Sequence, residues 1–281
     1  MKYEDLIEAL IDIAIEEDIS TGDISTDAII PVNSKATAVM TAKADGVISG
    51  LSVIRKVYER FENDFGWETF VKDGDKVKKG DKILKIQASY RTLLYGERLS
   101  LNILQRMSGI ATATSEYVKE LEGSHTVLLD TRKTAPGMRV LDKMAVKDGG
   151  GKNHRMGLYD MVMLKDNHIK IAGGIPAAIT AVKKDLPLST RLEVETTNLK
   201  EVSEAIEYGA DIIMLDNMDN ATMAEAVKMI AGKAKTEASG NMSIARLKEV
   251  AATGVDYISV GALTHSVKAL DISMNITSEE E

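Results

Sequence analysis

The sequence predicts an α/β protein in which a parallel barrel of βα units follows an N-terminal α+β region. Six short apolar runs recur beyond residue 125: TVLLD (126–130), MVMLKD (161–166), RLEVET (191–196), DIIMLDN (211–217), TEASGN (236–241) and DYISVG (256–261). Amphipathic helical segments lie between most of them, among them Pro176 to Lys184, Leu199 to Tyr208 and Ala221 to Ile230. That alternation argues for parallel strands joined by helices. Almost every run also ends in a chemically useful group: Asp130-Thr131-Arg132, Lys165-Asp166, Glu193 with Glu195, Asp216-Asn217, Glu237 with Ser239, then Gly261. In a barrel the C-terminal strand ends converge on one mouth, so these groups would gather around one site. No Gly-rich dinucleotide fingerprint follows a strand, which weakens a Rossmann reading.

Ahead of the barrel, MKYEDLIEALIDIAIEED reads as an amphipathic helix with Leu6, Leu10 and Ile13 on one side. Acids run through its apolar stretch and no small-residue cleavage site follows, so it does not read as a signal peptide. Residues 34 to 50 alternate and are rich in β-formers, residues 51 to 62 look helical, and residues 67 to 90 look like strands punctuated by Gly74 and Gly80. A long helix is expected from Tyr95 to about Glu120, with Leu99, Ile103, Met107 and Ile110 at helical spacing.

The 281 residues are 44% apolar and 28% charged, ordinary values for a soluble globular chain, and no run of apolar residues is long enough for a membrane span. There is no cysteine, which excludes disulfides, thiolate metal sites and cysteine nucleophiles and makes the cytoplasm the default location. A net charge of −8 argues against nucleic acid as a partner. The charge is uneven, however. Residues 131 to 170 hold nine Lys and Arg against four acids, giving +5 there and −13 elsewhere. A cationic segment in an acidic protein is either a solvated surface or a focused site for a small anion.

Four stretches carry the chemistry. In DTRKTAPGMR (130–139), Arg132 offers a planar fork suited to carboxylate or phosphate and Lys133 a compact charge, while Pro136 and Gly137 interrupt regular structure before a helix near Met138. In GGGKNHRMGLYDMVMLKDNHI (149–169), the three glycines permit a close backbone approach to a ligand, a tight bend or a flexible linker. His154 and Arg155 then precede a strand ending in Lys165, a lysine expected to be partly buried and to need an anion. Glu193 and Glu195 are two apart and share one strand face; with Asp216, such carboxylates suit Mg²⁺ or pair with the cations above. Finally, Ser239-Gly240-Asn241 lies before a helix and Gly261-Ala262 opens another, and N–H groups at helix starts after the last two strands make phosphate sites.

The run DTRKTAPGMRVLDKMAVKDGGGKNHRMGLYDMVMLKDNHI resembles the central block of the quinolinate phosphoribosyltransferase family. ERLSLNILQRMSGIAT (97–112), ADIIMLDN (210–217), EASGN, VDYISVGALTHSVKALDIS (255–273), EDISTGDIST (17–26) and ADGVISG (44–50) are similar to it too, so the resemblance spans nearly the whole chain. It implies an incomplete seven-stranded α/β barrel with an N-terminal α/β sandwich domain: residues 1–113 for the sandwich, 114–269 for the barrel, and the tail 270–281 packed on the sandwich. It also implies a homodimer or higher assembly with shared active sites.

Matched position by position, the resemblance assigns Arg132, His154, Arg155 and Lys165 to the quinolinate carboxylates, and Arg98 to the site of a neighbouring subunit. Lys133, Glu195, Asp216, Ser239, Gly240, Asn241, Gly261, Ala262 and His265 fall to phosphoribosyl pyrophosphate, with Glu195 and Asp216 holding Mg²⁺ and Lys165, Glu195 and Asp216 expected to be catalytic. Two departures are visible: Lys147 stands where the family usually has arginine, and Thr196-Thr197 follows Glu195.

The implied reaction joins quinolinate and phosphoribosyl pyrophosphate to give nicotinate mononucleotide, pyrophosphate and CO₂ in de novo NAD biosynthesis, with no membrane involved. A paralogue of the same fold, found with molybdate transport, is the alternative. Residues 71 to 86 (VKDGDKVKKGDKILKI) resemble a biotinyl or lipoyl hairpin, but Gln87-Ala88-Ser89 stands where the modified lysine should fall.

Overall fold

The computed structural model describes residues 2–278. Its elements run, in chain order, α1 (Tyr3–Asp18), α2 (Ile24–Ile29), β1 (Lys35–Ala42), β2 (Gly46–Val47), α3 (Leu51–Glu59), β3 (Gly66–Thr69), β4 (Lys76–Val77), β5 (Lys82–Ser89) and α4 (Tyr90–Glu120). There follow β6 (Val127–Leu129), α5 (Arg139–Asp148), β7 (Val162–Leu164), α6 (Asp166–Ala172), α7 (Ile175–Lys183), β8 (Leu192–Thr196), α8 (Leu199–Glu207) and β9 (Ile212–Asp216). The chain closes with α9 (Asn220–Ile230), β10 (Lys235–Ser239), α10 (Leu247–Ala251), β11 (Tyr257–Ser259), α11 (Ala262–His265) and β12 (Ile272–Ser278). Two compact units result: residues 1–115 with 134–150 and 266–281, and residues 116–133 with 151–265.

The first unit is built on an antiparallel sheet of order β12-β1-β5-β3 and a small β2-β4 pair. Along β1, Ala36, Ala38, Met40 and Ala42 are buried while their neighbours are not, the period of two that one covered face requires. The tail returns as β12 and pairs with β1, Ala42 opposite Ile272. Helix α4 contributes the buried stripe Ile103, Met107 and Ile110 foreseen from its spacing. The inward face of α1 differs from the expected one. Ile7 and Ile11 are buried, whereas Leu6 and Ile13 are exposed. Leu6, Leu10 and Ile13 do form one side, but Ile7 and Ile11 at i, i+4 form the stripe that packs.

In the second unit six parallel strands lie in the order β6-β11-β10-β9-β8-β7. A single parallel bridge, Leu129 to Lys152, stands where a seventh strand would extend the β6 edge. Strands β6, β7 and β9 are nearly continuous apolar runs, as sheets covered by helices require, whereas β8 and β10 carry the buried Glu193 and Glu237. Helices α7, α8 and α9 bury Ile175, Ala178 and Ile179, then Val202 and Ala205, then Met223, Ala226 and Ile230. Their starts are coded locally: Asn198 accepts from the Glu201 N–H and Asp219 from the Thr222 N–H, caps worth about 1 kcal/mol each. Because every strand points the same way, the side chains after β6, β7, β8, β9, β10 and β11 all meet at one end of the unit.

Candidate active site

A cavity of about 620 Å³ opens at that end, lined by residues from all six strand ends. One arc is cationic. Arg132 and Lys133 follow β6, His154 and Arg155 follow the Lys152 bridge, and Lys165 follows β7. Asp130, fully buried at the end of β6, holds this arc: its Oδ1 accepts the His154 N–H at 2.7 Å and its Oδ2 accepts Asn153 Nδ2 at 2.9 Å. The Nε atoms of Arg132 and Arg155 are buried without a hydrogen-bond partner among the described residues. Burial, and then the charge of Arg132, hold the Arg155 guanidinium below its usual pKa. Crowded guanidinium groups with unpartnered Nε donors are what an anion would relieve.

Lys165 lines the cavity but is exposed, not partly buried. It is the N-cap residue of α6, past the last buried strand position, so the strand end lifts it to the rim. The glycine triplet also resolves. None of Gly149, Gly150 and Gly151 lines the cavity. A Cβ on Gly149 would stand 2.4 Å from the Ala111 carbonyl oxygen, so that glycine lets α5 end against α4. Arg98 is exposed on α4 and is not among the lining residues.

The facing arc is acidic and rich in turns. Glu195 lies one residue before the end of β8 and Asp216 ends β9, and burial followed by the Asp216 charge raises the Glu195 pKa. Two hard-oxygen donors that repel one another fit a small divalent cation, which would relieve the repulsion. Asn217 Nδ2 donates to Asp216 Oδ2 at 2.7 Å, and the Asn217 N–H donates to the Ser239 carbonyl at 3.0 Å. Gly240, at φ 94°, is required here, because a Cβ would lie 2.2 Å from Asn217 Oδ1. Ser239, Asn241, Gly261, Ala262 and His265 complete the wall, and a Cβ on Gly261 would press the Lys133 stem at 2.9 Å.

Beneath both arcs lies a buried cluster. His154 Nε2 faces Glu193 Oε2 at 3.1 Å and Glu237 Oε2 at 3.3 Å, while Nδ1 accepts the Arg155 N–H at 2.7 Å. Burial opposes a charged ring, but the two carboxylates outweigh it and push the His154 pKa up to about 10. A second ring proton would collide with the Arg155 amide. With Nδ1 occupied as an acceptor, the geometry places the ring's one proton on Nε2, between the two carboxylates, and this contact opposes their pull toward a charged ring. Burial, then the charge of Glu237, raises Glu193 to about 7. Both glutamates stood among the strand-end groups read from the sequence, Glu193 beside Glu195 as a Mg²⁺ candidate and Glu237 with Ser239, but the family resemblance matched neither to a substrate. The signal for Glu237 was its place two positions before Ser239, on the face that turns inward. Met163, Met214 and Met242 add apolar lining that no local pattern announced.

Cations against carboxylates at the C-terminal mouth of a parallel α/β sheet define an enzyme that handles small polyanions. Two family profiles agree with the geometry: the quinolinate phosphoribosyl transferase C-terminal domain matches residues 110–275 and the N-terminal domain residues 23–108. The mitochondrial quinolinate phosphoribosyltransferase [decarboxylating] 2a of Nicotiana tabacum is 44% identical over 97% of this chain and 83% of that protein. The probable nicotinate-nucleotide pyrophosphorylase [carboxylating] of Bacillus subtilis is 42% identical over 94% of this chain and 91% of its own. Among solved structures, NadC from Streptococcus pyogenes superposes with a TM-score of 0.93 at 40% identity, covering 97% of this chain and 96% of that one. The chain belongs to the quinolinate phosphoribosyltransferase family. Residues 71 to 86, with their lipoyl-like look, fall inside its N-terminal domain match. No helix among the described residues is long and apolar enough to cross a membrane.

Proposed function

We propose that this protein transfers the phosphoribosyl group of phosphoribosyl pyrophosphate to the ring nitrogen of quinolinate, releasing pyrophosphate and CO₂ and leaving nicotinate mononucleotide for NAD biosynthesis. The supporting observation is the single cavity that opposes Arg132, Arg155 and Lys165 to the Glu195–Asp216 pair. Quinolinate carries two adjacent carboxylates and the sugar donor several phosphate charges, so each arc has a matching reactant. The names of the relatives favour a pyridine dicarboxylate over the acceptor of the molybdate-associated paralogue.

In this reading Arg132, His154, Arg155 and Lys165 form the acceptor wall. Lys133, Ser239, Gly240, Asn241, Gly261, Ala262 and His265 hold the donor's phosphates, with backbone N–H groups at the starts of short helical turns. Glu195 and Asp216 would hold Mg²⁺, whose chemistry is to offset charge on the departing pyrophosphate. The ring nitrogen attacks C1 as the C1–oxygen bond breaks, the electron pair leaving with pyrophosphate, and the carboxylate face stabilises the positive sugar carbon. Loss of CO₂ leaves the bonding pair on ring C2 beside the positive nitrogen. Lys165 and Arg155 stabilise that charge until C2 takes a proton.

Arg98, exposed on α4, completes the acceptor site of a second copy, so the working unit is a dimer or larger. A cysteine-free chain suits the reducing cytoplasm. The direct test is incubation of purified protein with carboxyl-labelled quinolinate, phosphoribosyl pyrophosphate and Mg²⁺. Labelled CO₂ and nicotinate mononucleotide in equal amounts are expected, and turnover of nicotinate at a comparable rate would overturn the assignment.

A further inference from the structure

His154 stands in the acceptor wall, but the two glutamates beneath it, Glu193 and Glu237, have no part in the reaction just described. Glu193 is 0% and Glu237 1% exposed, and none of their four carboxylate oxygens has a hydrogen-bond partner among the described residues apart from the ionic contact with His154. Two acids buried around one imidazole are costly, and apolar replacements of such groups are often neutral or stabilising. Stability therefore does not explain them. Their placement points elsewhere. Glu193 comes from β8 and Glu237 from β10, with β9 between them, while His154 arrives from the opposite edge beside β6.

We propose that Glu193 and Glu237 are positioning residues that clamp His154 and, through it, set the acceptor wall of the cavity. Three restraints converge on the backbone at 154–155: Asp130 takes the His154 N–H, the clamped ring takes the Arg155 N–H at Nδ1, and Arg155 Nη1 donates to the Met161 carbonyl at 3.1 Å. With the ring fixed at both nitrogens, the Arg155 main chain cannot rotate, and its buried, unpartnered Nε stays aimed for a carboxylate. Without the glutamates the ring could turn, releasing the amide it holds. The clamp thus trades stability for a preset guanidinium.

The inference rests on quinolinate being the acceptor, and its test separates the two claims. The variants are Glu193→Gln, Glu237→Gln, His154→Ala and the two combinations that join His154→Ala to a glutamine. Each glutamine variant is expected to keep or raise the melting temperature, to raise the KM for quinolinate at least tenfold and to leave the KM for phosphoribosyl pyrophosphate within threefold, a pattern that plain structural damage would not give. In the His154→Ala background either glutamine should add little, because both act through the ring. In ¹⁵N-histidine spectra the His154 signal should show the Nε2–H tautomer in the wild type and a tautomer mixture in the glutamine variants.

Additive effects, equal rises in both KM values, or a glutamine variant that fails to fold while His154→Ala folds would each overturn the proposal. So would one equivalent of bound zinc or manganese that Glu237→Gln removes, which would make the cluster a metal centre. Failure of wild-type protein to form nicotinate mononucleotide would sink the assigned activity. An unchanged His154 spectrum in both glutamine variants would sink the clamp.

Discussion

In the first unit buried charge meets its partner: Arg106 grips the fully buried Asp142 through Nε and Nη2, each at 2.9 Å, and Ser49 Oγ donates to Asp148 Oδ2 at 2.5 Å. In the second unit several groups at the strand ends stay unsatisfied: Arg132 Nε, Arg155 Nε, Glu193 Oε1 and Glu237 Oε1 are buried without a hydrogen-bond partner among the described residues. An unmet buried polar atom costs about 1–3 kcal/mol, so the second unit's charged groups carry a deficit that in the first unit falls only on hydroxyls such as those of Ser100 and Ser273. The sheets explain why. Antiparallel strands place their ends on both edges, whereas six parallel strands bring all their C-termini to one mouth, where like charges must crowd. The difference teaches which polar groups are structural and which are held in reserve for a ligand.

The comparison is broken most severely by removing the carboxylate pair. Glu195→Ala or Asp216→Ala should lower kcat/KM for phosphoribosyl pyrophosphate by about 10²–10³-fold, while quinolinate binding measured without donor stays within a few-fold. Either variant retaining full activity at limiting Mg²⁺ would remove these residues from the metal site.

Arginines from the two units should respond in opposite ways. Arg106→Ala leaves Asp142 buried and alone and should cost about 3 kcal/mol of stability in denaturant titrations, with kcat per folded molecule unchanged. Arg132→Met should hold or raise the melting temperature while raising the KM for quinolinate by about 100-fold. Equal destabilisation by both substitutions would erase the distinction between structural and reserved charge.

Assembly sharpens the comparison, since Arg98 lies on the first unit. Arg98→Ala and Lys165→Ala proteins should each be nearly inactive alone. If Arg98 serves a second copy in a dimer, subunit exchange should leave about half the dimers mixed with one intact site in each, so roughly a quarter of wild-type activity should return. Verified exchange without recovery would place both residues in one chain's site.

The smallest effect is in pH. Burial and the Glu237 charge raise Glu193 to about 7 from an ordinary value of 4.5. A carboxyl raised on folding binds its proton more tightly in the native state, so its contribution is present below about 4.5 and is lost as pH rises through about 7. Glu193→Gln should therefore flatten the fall in melting temperature across that window, read by calorimetry at several pH values.

Much of this was legible in the sequence because parallel strands write themselves as apolar runs with chemistry at their ends. Every strand from β6 to β11 overlaps an expected run, β10 starting one residue ahead of its own, and Arg132, Lys165, Glu195, Asp216 and Ser239 were visible as strand-end groups. Other features depend on long-range geometry that no local pattern encodes. The clamp on His154 joins residues 39 and 83 positions apart, and the inward face of α1 is chosen by what packs on it. The rim position of Lys165 follows from where β7 stops, at Leu164, one residue before the lysine that was expected to end it.

The central claim is that the unpartnered cations of the second unit are reserved for a dicarboxylate. Its most direct measurement is the ratio of kcat/KM for quinolinate to that for nicotinate at saturating phosphoribosyl pyrophosphate and Mg²⁺. A site built to hydrogen-bond a second carboxylate should discriminate by about 10⁴-fold, because nicotinate leaves buried guanidinium donors unmet. A ratio near one would show that those donors are not waiting for the second carboxylate.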